Sequence, residues 1–475
     1  MLRHLIVLLC ALALSACMLP PKAAEHTKAL EAQNTGLTGA EVLPAPDAWW
    51  QSFQDPQLDQ LIRQGLAGSP TLAQAQARVA QAIAETQGAN AKLKPNANFD
   101  ASALYQRAPE NYIIPPPLAG HTFWMGQAGA SLGWDLDFSG KQAHAVAREK
   151  ALAQSAQLDL ENSRLLLTGA ITQAYIDLHR SYALVDIARR SESQRQNIVK
   201  ITEHRVAAGL DTRLELRQAE GQLPQARVAR EQAEAAAQLA IHQLATLTGQ
   251  GAESYAGITP PKVYIDAALP VPTSLPINLL GRRPDVLAAR KGIEAADAQR
   301  LSDRAAFYPD VNLRGLAGIG AFGWNNLVSW SARGYGAGPA LSLPLFDGGR
   351  LKAQYRGSEA ALDGAIAAYN DTVLRAIGET ADQLTRIDTL SRERIDQQQT
   401  LEANEAAYQL AEERYRAGLA SYLAVLNAET QVILARQTMV SIIDDEADAR
   451  VRLLRAVGGS FEPKNAAPVA ALIKN

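Results

Sequence analysis

A chain of 475 residues, 47% hydrophobic and 20% charged, can bury a sizeable core, and its glycine and proline are too few for wholesale disorder. A formal net charge of -3 supplies no basic stripe to neutralise phosphates, which argues against a nucleic-acid partner. Cysteine occurs only as Cys10 and Cys17, near the N-terminus, so neither a disulfide framework nor a cysteine metal site is expected.

The first element is a secretory signal, residues 1–16: Arg3, the apolar run Leu5–Leu14, then the small residues Ser15 and Ala16. The run is too short to span a bilayer as a helix, and no later segment offers 18 uninterrupted apolar residues. If the chain crosses a membrane it does so as strands. Leu14-Ser15-Ala16-Cys17 resembles a bacterial lipobox, which implies cleavage before Cys17 and acylation of its thiol and amine. Met18 stands where an aspartate would retain a lipoprotein in the inner membrane, so the resemblance implies the outer membrane. Residues 17–55 are expected to form an N-terminal anchor and an extended segment.

A repeat follows over 56–248. A helix over Leu72–Lys92 is stopped by Pro95, which a helix interior would not tolerate. Strands are expected at about 97–107 and 122–138. Phe99, Ala101, Ala103 and Tyr105 share one side of the first, and Ala128, Ala130, Leu132, Trp134, Leu136 and Phe138 share one side of the second. Asp135 and Asp137 fall on the opposite side, where a lumen-lining role suits them better than catalysis. A long helix, Lys141–His204, turns at Gly209 and returns to about Leu247, a hairpin over 141–248. A helix of about 64 residues would run on the order of 95 Å. Ile171, Ala174, Leu178, Tyr182 and Val185 form an apolar seam of threes and fours, as in a packed bundle.

After a linker over 249–276 the same order returns in 277–457. The helix Val286–Ala306 ends at Pro309, strands are expected at about 310–320 and 333–346, and a hairpin over 350–457 turns at Gly418. Ala208-Gly209-Leu210 recurs as Ala417-Gly418-Leu419, and Ala219-Glu220, Gln222 and Ala226-Arg227 recur as Ala428-Glu429, Gln431 and Ala435-Arg436. Residues 458–475 form a C-terminal tail. Gly318–Gly323 fits G-x-G-x-x-G but lies between two strands, where no dinucleotide site forms. The seven histidines show no metal-ligand spacing and no nucleophile–base pair stands out, so neither metal, cofactor nor catalysis is expected.

Strands of about ten residues with one apolar and one polar face are the outer-membrane signature. Four of them cannot close a barrel, and open edges are not tolerated in lipid, so the chain must share its barrel with copies of itself. Sequence shows the need for partners without setting their number.

These residues resemble the TolC outer-membrane factor family, nearer its lipidated OprM-like branch, over almost the whole mature chain. The resemblance rests on the lipobox, Leu280–Val286, Trp134–Phe138, Leu343–Arg350 and the two Ala-Gly-Leu turns. It implies an α+β membrane protein: a homotrimer with a twelve-stranded outer-membrane β-barrel, continued by a long periplasmic α-helical barrel. The implied role is the passive exit duct of a tripartite pump, fed by an inner-membrane transporter through a periplasmic adaptor. Type I secretion is the alternative cargo route, and a lipid-tethered periplasmic spacer the alternative that leaves the strands unexplained. By the same resemblance Gly209, Leu210, Gly418 and Leu419 are adaptor-contact tips, although glycines at these positions also serve as plain helix caps. Glu215, Tyr415 and Asn427 are placed at the periplasmic gate; Glu215 and Tyr415 alone would equally suit solvated tip positions. Ala420 stands where the family's pattern has an arginine, and Ala424 and Asn427 where it has two inward acids; the missing acids imply a weaker cation preference.

Overall fold

A computed structural model of the protein describes residues 20–22, 25–31, 35–37, 39–41, 43–111, 113–263, 265, 269 and 272–462. The expected signal 1–16, the expected lipid-attachment residue Cys17 and the end of the tail, 463–475, lie outside them.

Two near copies of one element order, differing in the short helices at their start, make up most of the chain. In the first, α1 (Pro56–Gly68) and α2 (Pro70–Ala91) lead into β1 (Asn96–Arg107) and β2 (Thr122–Asp135), then α3 (Lys141–Ala207) and α4 (Arg213–Leu247). In the second, α5 (Pro284–Ala305) leads into β3 (Asp310–Phe322) and β4 (Arg333–Ser342), then α6 (Arg350–Arg416) and α7 (Tyr422–Ala456). Helices α3 and α6 both have 67 residues and α4 and α7 both have 35, so the repeats match in length as well as in order. At 1.5 Å per residue α3 and α6 each span about 100 Å.

Proline opens α1, α2 and α5, where its missing N–H removes nothing a first turn would use. Aspartates open the long helices. Asp137 accepts from Gln142 N at 2.8 Å and Ala143 N at 2.7 Å, and Asp347 accepts from Gly349 N at 2.9 Å and Leu351 N at 2.8 Å. This corrects the sequence reading of the second and fourth strands, which end at Asp135 and Ser342 rather than at 138 and 346. Asp137 therefore does not share a lumen face with Asp135. It sits in the left-handed region at φ 45° and satisfies the orphan N–H groups at the start of α3. Local capping outcompetes the alternating pattern there.

The four strands form one antiparallel sheet in the order β1-β2-β3-β4, so β1 and β4 are its free edges. Register is continuous: Ala101 faces Ala128, Ala128 faces Ile319, and Ile319 faces Arg333. Opposed residues share a face, which collects Phe99, Ala103, Tyr105, Ala130, Leu132, Trp134, Leu313 and Tyr335 on one side and Asn98, Asp100, Ser102, Gln127, Ser131, Asn312 and Arg314 on the other. The G-x-G-x-x-G pattern lies in β3 and the turn after it. A Cβ on Gly318 would come within 2.6 Å of the Ala128 carbonyl oxygen, so this glycine serves close strand approach.

Burial concentrates where the short and long helices meet. Trp49, Phe53, Leu58, Ile62, Ile171, Tyr175, Leu178 and Leu244 form one core, and Leu279, Val286, Ile293, Ile366, Val373 and Leu453 form its counterpart in the second repeat. The expected seam is buried at Ile171, Ala174, Leu178 and Val185, with Tyr182 packed beside it. The Leu280–Val286 motif is a clamp. Arg283 grips Asp285 with two nitrogens (3.0 and 2.7 Å), Glu379 of α6 at 2.9 Å and the Ala456 carbonyl of α7 at 3.1 Å. Its neighbour Arg282 reaches the Gly459 carbonyl at 3.2 Å. The N-terminal segment runs along the outside of α6, where Leu30 N donates to Asn370 at 2.8 Å and His26 pairs with Asp363 at 3.1 Å.

Candidate functional site

The two long hairpins end side by side, at the far end of α3 and α6 from the sheet. Each turn is a Schellman cap around a left-handed glycine, Gly209 at φ 68° and Gly418 at φ 77°. Leu210 N donates to the Arg205 carbonyl, and Leu419 N to the Arg414 carbonyl, both at 2.8 Å. The cap uses the backbone and leaves the side chains outside: Leu210 is 63% and Leu419 77% exposed. Each hairpin tip thus carries an exposed leucine.

Directly behind the turns, three elements meet on one tyrosine. Tyr415 of α6 is 0% exposed. Its hydroxyl donates to Asp211 Oδ2 at 2.7 Å and lies 2.9 Å from Thr202 Oγ1 of α3. Arg205 of α3 closes the group with bonds to Asp211 at 2.7 and 3.0 Å and to the Tyr415 carbonyl at 2.6 Å, its guanidinium lying 4.5 Å over the tyrosine ring. The Arg205 bonds hold the Asp211 carboxyl below its ordinary range. Burial pushes the Tyr415 phenol up to about 12, so it stays a proton donor. The first hairpin thus grips the second by charge-assisted hydrogen bonds shielded from water.

Glu215 lies elsewhere. It forms a capping box with Thr212, accepting from Thr212 N at 2.9 Å and from the Thr212 hydroxyl, while Thr212 Oγ1 accepts from Leu214 N at 3.1 Å. The Thr212 hydroxyl bond draws the Glu215 carboxyl down. Asn427 and Ala424 are exposed on α7, and Ala420 packs at the edge of the tip cluster of Tyr408, Tyr415, Tyr422, Val425 and Val432. The structure therefore brings Asp211 to Tyr415, not Glu215. Sequence reading passed over Asp211, Arg205 and Thr202. The two acids flank Thr212, and only the three-dimensional turn decides which one faces α6.

Further up, the hairpins are joined by more buried charge. Glu429 of α7, 3% exposed, faces Arg195 of α3 at 3.5 Å; burial raises its carboxyl and Arg195 opposes that rise. His179 and Arg180 of α3 meet Asp444 and Asp445 of α7 at 2.9 and 2.6 Å. Among the described residues no group of three or more His, Cys, Asp or Glu could hold a metal ion. No described helix is long and apolar enough to cross a membrane.

The sequence profile of the outer membrane efflux proteins matches residues 61–250 and again 275–459, one match for each repeat. The fusaric acid resistance protein FusA of Burkholderia cepacia is 34% identical over 433 residues, covering 88% of this chain and 79% of that protein. The multidrug resistance outer membrane protein MdtP of Shigella flexneri is 31% identical over 445 residues, covering 89% and 87%. Among solved structures, the outer membrane protein VceC of Vibrio cholerae superimposes with a TM-score of 0.81 at 32% identity, covering 88% of this chain and all of that one.

Proposed function

The chain belongs to the outer membrane efflux protein family, and from that premise we propose that three copies enclose one duct, held shut at its periplasmic end by Arg205, Asp211 and Tyr415. The protein is an outer-membrane channel of a tripartite efflux system, its sheet in the membrane and its helices in the periplasm. One observation carries the duct: a four-stranded sheet with two free edges runs directly into helices of about 100 Å. Lipid does not tolerate the free edges, so β4 of one copy pairs with β1 of the next, and three copies give twelve strands. The apolar face of the sheet then meets lipid and the face of Asn98, Asp100, Ser102 and Gln127 meets water.

Transport is passive. An inner-membrane transporter and a periplasmic adaptor hand over drugs or other small toxic compounds, a cargo supported by the resistance names of the FusA and MdtP relatives. The lumen needs no chemistry and no cofactor. The adaptor docks on the tips formed by Gly209, Leu210, Gly418 and Leu419. Opening separates α3 from α6, and the bonds that Tyr415 makes with Asp211, Thr202 and Arg205 resist it. Hydrogen bonds to charged groups contribute about 1.5–3 kcal/mol each, and burial of the tip leucines against the adaptor works against them. Glu215 holds the first turn in shape for that contact, and Asn427 lines the passage. Acyl chains on Cys17 add a second hold on the outer membrane.

Reconstitution into planar bilayers tests the lock and the duct separately. Wild-type trimers should show low conductance, and Asp211→Ala with Tyr415→Phe should raise it severalfold. Equal conductance in both would refute the lock. No conductance in either, from protein that is trimeric in detergent, would refute the duct.

A further inference from the structure

The face that carries Phe99, Tyr105, Leu132 and Trp134 holds only two charges among the described strand residues: Arg107 and Arg333. Each ends an edge strand, Arg107 closing β1 and Arg333 opening β4, at the end away from the periplasmic helices. Each has a tyrosine two residues nearer the membrane centre on the same face, Tyr105 and Tyr335. The two edges of the sheet carry the same device.

Register sets Arg333 in line with Ala101 rather than Arg107, and the tilt of strands in a closed barrel brings the two arginines toward one level. The outer strand ends step sideways across the sheet, with Arg107 opposite Thr122, Phe322 opposite Met125 and Arg333 opposite Ile319. The inner ends step in the same direction, Asn96 opposite Gly133, Asp135 opposite Asn312 and Asp310 opposite Ser342. A common step at both ends is the stagger of strands tilted in a barrel, which draws the outer ends toward one height. When β4 of one copy closes on β1 of the next, Arg333 and Tyr335 come beside Arg107 and Tyr105 of the neighbouring copy.

The surroundings favour an anionic headgroup. Trp330 stacks on Arg333 with its ring centroid 3.4 Å from the guanidinium carbon, and Trp324 packs on Trp124 at 5.6 Å, on the lipid-facing side. Indoles at that height mark the interface between hydrocarbon and headgroups. Arg107 has an exposed partner in Glu110 at 3.3 Å, an ion pair that contributes little and that a phosphate can displace. We propose that at each junction between copies Arg333 of one chain and Arg107 of the next clasp a phosphate of an outer-leaflet lipid headgroup, with the tyrosines beneath bounding its acyl chains. The proposal rests on closure of the barrel by copies of this chain.

Native mass spectrometry of the full-length protein in detergent, titrated with diphosphoryl lipid A or phosphatidylcholine, tests it. Wild-type trimers should retain lipid A in preference to phosphatidylcholine, up to one molecule per junction. Arg107→Gln with Arg333→Gln should lower lipid A retention by roughly tenfold or more, since each basic residue at a membrane surface favours anionic lipid. Phosphatidylcholine retention should not change, and Arg333→Lys should recover part of the loss. Trimers of the double variant that hold as much lipid A as the wild type would overturn the site, as would equal wild-type retention of the two lipids. Wild-type protein found only as monomers would instead refute barrel closure, and the junction with it.

Discussion

Asp211 and Tyr415 show how a few hydrogen bonds set the behaviour of the periplasmic end. The folded Asp211 carboxyl titrates below its ordinary value, first through Arg205 of its own hairpin and also through Tyr415, so the bond it accepts from Tyr415 is intact above about pH 4 and is lost as pH falls through the lowered value. Tyr415 titrates upward, so its contribution is complete below about pH 10 and is lost as pH rises through about 12. Closed-state conductance should therefore stay flat from about pH 5 to 9; a step inside that window would mean that another group governs closure. Selectivity is a separate residue-scale matter. Ala424 and Asn427 are exposed on α7 and uncharged, so under the proposed duct reversal potentials in a salt gradient should show only weak cation preference. Strong cation selectivity would count against it. At the turns, valine at both Gly209 and Gly418 would force β-branched side chains into the left-handed region, at about 1–2 kcal/mol each. Adaptor crosslinking and export should both fall in the double variant, and unchanged values would rule out the tips as the contact.

At the scale of elements, the lateral helices of one chain are α4 and α6, and both keep bulky apolar side chains in the open. Leu239 of α4 is 66% exposed and Ile395 of α6 is 62% exposed. In a closed ring these helices are covered by the adjoining copies, and burying each such side chain stabilises by about 1.5–3 kcal/mol. Leu239→Asp combined with Ile395→Asp should shift detergent-solubilised protein from trimer to monomer in size-exclusion chromatography with light scattering. A stable trimer would place these residues away from the seam. The strands illustrate how an element can be legible and still misread at its end. Alternation located all four, yet it carried the second past Asp135, because Leu136 and Phe138 continue the apolar phase. The Asp137 carboxylate, accepting from two backbone N–H groups, decides that the chain has already turned into α3.

On the scale of the whole molecule, helices of about 100 Å joined to a membrane sheet about 30 Å high predict hollow three-fold cylinders on the order of 130 Å long. Negative-stain electron microscopy of full-length protein in detergent reads this directly; thin rods or solid globules would contradict it. Much of that shape is written in the chain itself. Period-two alternation, proline at the helix boundaries, the glycine turns and the internal repeat are local properties, and they determine element type and order, though not where the second and fourth strands end. The need for partners is local too, since four strands leave two edges unpaired whatever surrounds them. Tertiary structure alone decided which side chains meet. Arg205, Asp211 and Tyr415 lie on a helix, a turn and a second helix far apart in sequence, and no spacing rule connects them. Arg107 and Arg333 acquire a common face only through strand register. Backbone propensity acts over a few residues, whereas a hydrogen bond between hairpins depends on how long helices lie against each other, which sequence neighbours do not encode.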